Sequence, residues 1–179
     1  IKLENPNVVA DNSRATGALA GETYHTLISG CSVSNNTSTQ NHTRISGKTY
    51  VGGLIGSAQK GTIVSNCATS AYVNGAGGKQ SAVGGLVGFA QNAQFSGCSA
   101  DEAEVESGSS AATDYEKHVL GGLVGMAGNG SVFKDCITYA DTRVHGFQDT
   151  ENDAGGFVGY AVNAVFGDAQ SVLLNCESY

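Results

Sequence analysis

The sequence predicts an all-β fold, a parallel β-helix (a solenoid) with about three short strands per coil and roughly five coils. Three observations carry that prediction: a glycine motif recurs, a cysteine recurs in phase with it, and the residues between them alternate in polarity as strands do. The motif reads Val51-Gly52-Gly53-Leu54-Ile55-Gly56, then Val83-Gly84-Gly85-Leu86-Val87-Gly88, Leu120-Gly121-Gly122-Leu123-Val124-Gly125 and Ala154-Gly155-Gly156-Phe157-Val158-Gly159. A weaker copy, Thr16-Gly17-Ala18-Leu19-Ala20-Gly21, precedes them. The first glycines lie 35, 32, 37 and 34 residues apart, and a fixed period of this size marks stacked repeats.

The motif is read as a short strand ending in a turn. Ala58, Ala90, Ala127 and Ala161 follow it, and two residues on come Lys60, Asn92, Asn129 and Asn163; Asn129-Gly130 is a strong turn pair because both residues tolerate positive φ. A second strand is expected at Thr62-Ile63-Val64, Ala93-Gln94-Phe95, Ser131-Val132-Phe133 and Ser171-Val172-Leu173, with an insertion near Gly167-Asp168-Ala169-Gln170 in the last copy. Ile28, Val64, Phe95, Phe133 and Leu173 each stand three residues before a cysteine. The residue just before each cysteine is Gly30, Asn66, Gly97, Asp135 or Asn175, the types that enter the left-handed region cheaply and would bend the chain there.

A third strand starts at the cysteine. Cys67, Thr69, Ala71 and Val73 share its inward face; in the third full copy Cys136, Thr138, Ala140, Thr142 and Val144 do. The second full copy slips by one residue after Ala100, the mark of a bulge, and Ala103 and Val105 resume the inward role. Each coil then lays its strands beside those of its neighbours, with the right-handed sense that parallel crossovers obey. A β-propeller needs a longer period and four strands per blade.

The five cysteines, Cys31, Cys67, Cys98, Cys136 and Cys176, are one per repeat. An odd count without a CxxC pair or a nearby histidine fits neither a closed disulfide set nor a zinc site. They are read as a column of interior thiols; disulfides between neighbouring copies are the alternative.

The whole chain, residues 1–179, reads as a single solenoid domain, with a divergent first coil over 1–49 and four clearer repeats over 50–179. The polar region Ser29 to Thr49 is expected to be a long outward loop. Net charge is −7 with nine Lys and Arg; this excludes the clustered basic face that nucleic acid or anionic lipid requires. No apolar run approaches the roughly 18 residues of a membrane-crossing helix, so direct membrane insertion is not expected. The opening Ile1-Lys2-Leu3-Glu4 has no signal-peptide character, and the chain is expected to be a fragment of a longer protein.

From Tyr50-Val51-Gly52-Gly53-Leu54-Ile55-Gly56 through Gly61-Thr62-Ile63-Val64-Ser65-Asn66-Cys67-Ala68-Thr69, and on to Ala71, Val73 and Gly75, the sequence resembles the GLUG repeat. Four copies carry the resemblance, over about residues 50 to 179. It implies a module of large secreted or surface-anchored bacterial proteins, among them adhesin-like proteins and IgA-cleaving metallopeptidases. In the peptidases the repeats accompany the catalytic domain and supply no zinc ligands. The resemblance brings no catalytic residues.

The residues themselves offer little chemistry. His25, His42, His118 and His145 stand alone, outside any His-Glu-x-x-His pattern, and each is expected in a surface loop. The glycine motif lacks the spacing of a dinucleotide fingerprint. The acidic run Asp101, Glu102, Glu104 and Glu106, followed by Asp114 and Glu116 with Lys117 beside them, has two readings. It could be a calcium site or the carboxylates of a polysaccharide lyase; the alternation with Ala103 and Val105 favours a solvated outer face. No catalytic residue, metal or cofactor is assigned. Gly52, Gly53, Gly84, Gly85, Gly121, Gly122, Gly155 and Gly156 are structural, as are the cysteines. Outward Tyr72, Tyr139, Arg143 and Phe147 are the candidate contact residues. The expected role is a non-catalytic extracellular spacer and contact module at a bacterial cell surface. Its expected partners are a host or cell-surface protein or glycan and the neighbouring domains of its own chain. A carbohydrate-active β-helix enzyme is the alternative.

Overall fold

The computed structural model describes residues 1–35, 43–75, 80–107, 117–146, 151–168, 171–172 and 176–178. Among them every regular element is a strand, and the strands stack into five parallel sheets running along one axis. The parallel β-solenoid is therefore present. One coil runs through Ala68–Thr69, Tyr72–Gly75, Gln80–Gly84, Val87–Gln91 and Gln94–Ser96, contributing one strand to each sheet in turn.

Five strands per coil replace the expected three. The glycine motif is a corner and not one strand: Tyr50–Gly52 belongs to the third sheet and Ile55–Gln59 to the fourth. The strand after the cysteine is likewise broken, at Ser70 and Ala71, between the first and second sheets. Alternation survives at Gly53-Leu54 and Ser70-Ala71 because the corner spends two residues, so the polarity pattern alone reads straight through them; in the third full copy the corner spends four, 139–142, and Ala140, expected inward, is exposed.

Register follows the repeat. Thr16, Val51, Val83, Leu120 and Ala154 align in the third sheet, so the weak first copy stacks like the others. Ala20, Ile55, Val87, Val124 and Val158 align in the fourth. Val8, Ile45, Val73, Val105 and Val144 line the second. With Leu54, Leu86 and Leu123 at the motif corner, the buried apolar members of these columns form one continuous core, against which Val8, Val144 and Val158 pack at its two ends. No single coil encloses it; stacking does.

The fifth sheet carries Ile28, Val64, Phe95 and Phe133 in one column, continued by Phe166. Phe95 and Phe133 stack at 4.7 Å, and Phe133 and Phe166 at 5.2 Å. This corrects the placement of the last copy: Val165–Asp168 is the in-phase strand, not the segment ending at Leu173, which lies outside the described residues. The inserted residues instead fold Ser171–Val172 back as an antiparallel strand on Gly167 and Asp168. The cysteine phase is restored at once, with Cys176 paired to Cys136.

Four of the five expected left-handed residues, Gly30, Asn66, Gly97 and Asp135, have φ of 61°, 52°, 59° and 50°; Asn175 lies outside the described residues. A second column of them, His25, Lys60, Asn92 and Asn163, turns the fourth sheet into the fifth. At the Asn129-Gly130 turn the glycine takes the positive φ, 76°. The one-residue slip after Ala100 is an extra corner residue, with Glu102 at φ 51°.

Length differences are largest at the two corners flanking the second sheet, with one further insertion between the fifth and first sheets of the last coil, between Asp168 and Cys176. Between the third and fourth sheets there are always two residues, as in Gly53-Leu54 and Gly85-Leu86. Between the first and second sheets the connection varies from Ser70-Ala71 to the long segment 35–43. The region read as one outward loop, Ser29 to Thr49, contains two ladder strands, Ser32–Ser34 and Arg44–Gly47. Each carries a single apolar residue, Val33 or Ile45, and the Asn- and Thr-rich sequence between them masked both.

Candidate functional site

The motif glycines make the third and fourth sheets meet backbone to backbone. A Cβ on Gly52 would lie 2.1 Å from the Ile55 carbonyl oxygen and 2.7 Å from the Gly88 nitrogen; one on Gly88 would lie 2.5 Å from the Val51 nitrogen. Gly84 and Gly121 repeat the first of these contacts with Val87 and Val124. Gly53 fills the interior side, where a Cβ would come within 2.0 Å of the Gly85 carbonyl oxygen and 2.5 Å of Thr69 Oγ1. Gly85 and Gly122 make the same approach to Gly122 and Gly156. Any side chain there would have to displace main chain.

The outward residues of the two sheets also touch each other, so this corner is re-entrant. Tyr50, Ala82, Val119 and Asp153 form the outer column of the third sheet. Ser57, Phe89, Met126 and Tyr160 form that of the fourth. Tyr50 stacks on Phe89 at 4.8 Å and closes the groove there. Arg14 and Glu22, 3.7 Å apart, bridge it one coil earlier. Past Tyr50 the small Ala82 and Val119 leave a cleft of about 380 Å³, walled by Met126 and Tyr160 and rimmed by Gln80, Lys117 and Asp153. Lys117 Nζ lies 3.2 Å from Asp153 Oδ2. Sequence reasoning missed this cleft. Its signal was available: residues one before and one after the glycine motif change in size from copy to copy while the motif stays constant.

The thiols form the expected interior column. Cys31, Cys67, Cys98 and Cys136 are buried thiols outside any disulfide; the Cys176 side chain lies outside the described residues. Each donates toward the carbonyl two residues back, on Ser29, Ser65, Ser96 and Lys134, at 3.3 to 3.5 Å. The left-handed residue in between creates that geometry. Cys136 and burial push the Cys98 thiol up to about 12, and the Cys67 thiol is raised first by Cys98 and then by burial. These are poor nucleophiles.

The acidic run is spread over a corner and a strand. Asp101 and Glu102 are exposed, Glu104 and Glu106 half-buried, and Ala103 and Val105 point into the core. Glu106 accepts hydrogen bonds from the Tyr72 hydroxyl and from Asn74 Nδ2. Burial, and after it the hydrogen bond to Glu106, raise the Tyr72 pKa. Among the described residues no group of three or more His, Cys, Asp or Glu side chains is placed to hold a metal ion; Asp114 and Glu116 lie outside them. On the second sheet Arg44, Tyr72, Glu104 and Arg143 follow one another in a single outward column. Tyr139 stands apart at a corner, 43% exposed. Phe147 lies outside the described residues.

His118 is the correction among the histidines. It is fully buried in the third sheet, in register with Ser81 and Asn152, and hydrogen-bonds the Ser81 hydroxyl through Nδ1. Its neighbours in sequence are a charged strand start, Glu116-Lys117, which disguised an inward position.

Stacked coils, a shared core and glycine-paved corners define a repeat module of the β-solenoid class. Residues 80–105 match the family model of the GLUG motif, and they run once through all five sheets, from Gln80–Gly84 to the start of Glu104–Ser107. No curated protein and no solved structure shows a significant match to the chain.

Proposed function

We propose that this module is a non-catalytic spacer and contact element of a large bacterial surface or secreted protein. The observation that carries the reading is the unbroken interior. Every sheet continues from coil to coil, and the conserved-phase residues are spent on packing. A stack of this kind transmits position rigidly, adding about 4.8 Å of length per coil. The GLUG motif at 80–105 supports the setting, since the family resemblance points to exported bacterial proteins. The outward column Arg44, Tyr72, Glu104, Arg143, with Tyr139 nearby, is the contact face for a host or cell-surface protein or glycan. Mixed charges and amphipathic aromatics suit recognition on such a rim.

Buried thiols are compatible with an oxidising exterior because burial shields them from reagents, and at Cys67 and Cys98 ionisation is suppressed as well. Impermeant biotinylation of intact source cells should label the full-length protein; labelling only after lysis would remove the extracellular role. Incubation with acidic and neutral polysaccharides should release no fragments. Reproducible cleavage would instead establish a carbohydrate-active enzyme.

A further inference from the structure

We propose that the cleft between the third and fourth sheets is a binding subsite for a neutral sugar unit. It lies on a different face from the column Arg44 to Arg143 and does not depend on where the protein is located.

The argument starts from the walls. Tyr160 is 42% exposed beside the half-buried Met126, so one side of the cleft is a polarizable, apolar surface. The opposite rim carries Gln80 and the Lys117–Asp153 pair. A pyranose has the matching asymmetry, with an apolar face of C–H groups and a periphery of hydroxyls. Its C–H face can lie on the phenol ring while its hydroxyls meet amide, ammonium and carboxylate.

Charge narrows the class. Lys117 and Asp153 are 3.2 Å apart and cancel each other's field. A phosphate or uronate would have to compete with Asp153 for the lysine, on a chain of net charge −7. A neutral polyol meets no such opposition, because it can donate to the carboxylate and accept from the ammonium at once. An apolar peptide side chain would cover the same tyrosine but strip water from the ion pair and Gln80 without replacing it. Shape limits the approach: Tyr50 on Phe89 blocks one end of the cleft.

The test uses the whole chain and ligand-detected NMR. The probes are the neutral disaccharides cellobiose, N,N′-diacetylchitobiose, mannobiose and galactobiose, with digalacturonate and the peptide Gly-Leu-Gly as contrasts. At least one neutral disaccharide should bind. Tyr160→Ala should weaken it about ten-fold, Lys117→Ala should weaken it as well, and Leu27→Ala, on the exposed side of the fifth sheet, should leave it unchanged. Circular dichroism and the urea midpoint verify that each variant is folded. Binding by none of the neutral sugars, preference for digalacturonate or the peptide, or binding that survives Tyr160→Ala would overturn the assignment. Hydrolysis of a bound disaccharide would sink the spacer reading above while leaving the subsite standing.

Discussion

Glu102 holds φ at 51° on an exposed corner. For a residue with an ordinary side chain that conformation costs about 1–2 kcal/mol, and less for Asn. Glu102→Asn should therefore raise stability by about 0.5–1 kcal/mol, seen as a higher urea midpoint at unchanged slope; a lower midpoint would mean the carboxylate holds something. Gly53 is the opposite case. Its Cβ position is occupied by main chain, so Gly53→Val should cost about 3 kcal/mol or abolish folding. The thiols give a pH prediction. Folded Cys98 keeps its proton up to about 12, against 9.0 without its surroundings. Its contribution is complete below pH 9 and disappears as pH rises from 9 to 12, because the unfolded chain ionises first. The urea midpoint should fall over that interval, and Cys98→Ala should flatten the fall. A native protein whose thiols react with iodoacetamide as fast as the denatured chain would contradict the buried column.

At the scale of elements, the phenylalanine column concentrates packing in the fifth sheet. Phe133 stacks on Phe95 and Phe166 and meets Phe157 edge-on at 6.2 Å. Phe133→Ala should cost about 3–5 kcal/mol, read in the same denaturation curves. Leu27, 72% exposed in the same sheet, should tolerate alanine within about 0.5 kcal/mol. This sheet also shows how far the sequence could be read. The phases of Ile28, Val64, Phe95 and Phe133 were plain from their distance to the next cysteine. Phe166 was not, because an insertion separates it from Cys176 and only three-dimensional register says which segment joins the ladder. The corners posed the same difficulty: Gly52 and Gly53 look alike on paper, yet one faces the groove and the other the core. Sequence reading located the columns of the first sheet's acidic corner and of the thiols. It could not locate the cleft, whose two walls lie on opposite sides of a corner that was taken for a single strand.

For the molecule as a whole, the constancy of one corner beside the variability of others matters most. The corner of Gly53-Leu54 has one length in every coil, while the corners on either side of the second sheet do not. A six-residue Gly/Ser insertion between Lys48 and Thr49 should cost less than about 1 kcal/mol, whereas the same insertion between Gly53 and Leu54 should prevent the cooperative transition altogether. Such a division separates a part that must be copied faithfully from a part that is free to be rewritten. Duplicating a unit would hand each descendant the same cross-section but a fresh pair of blank edges. A lineage, or a protein engineer, could diversify those edges indefinitely without renegotiating how the units fit together.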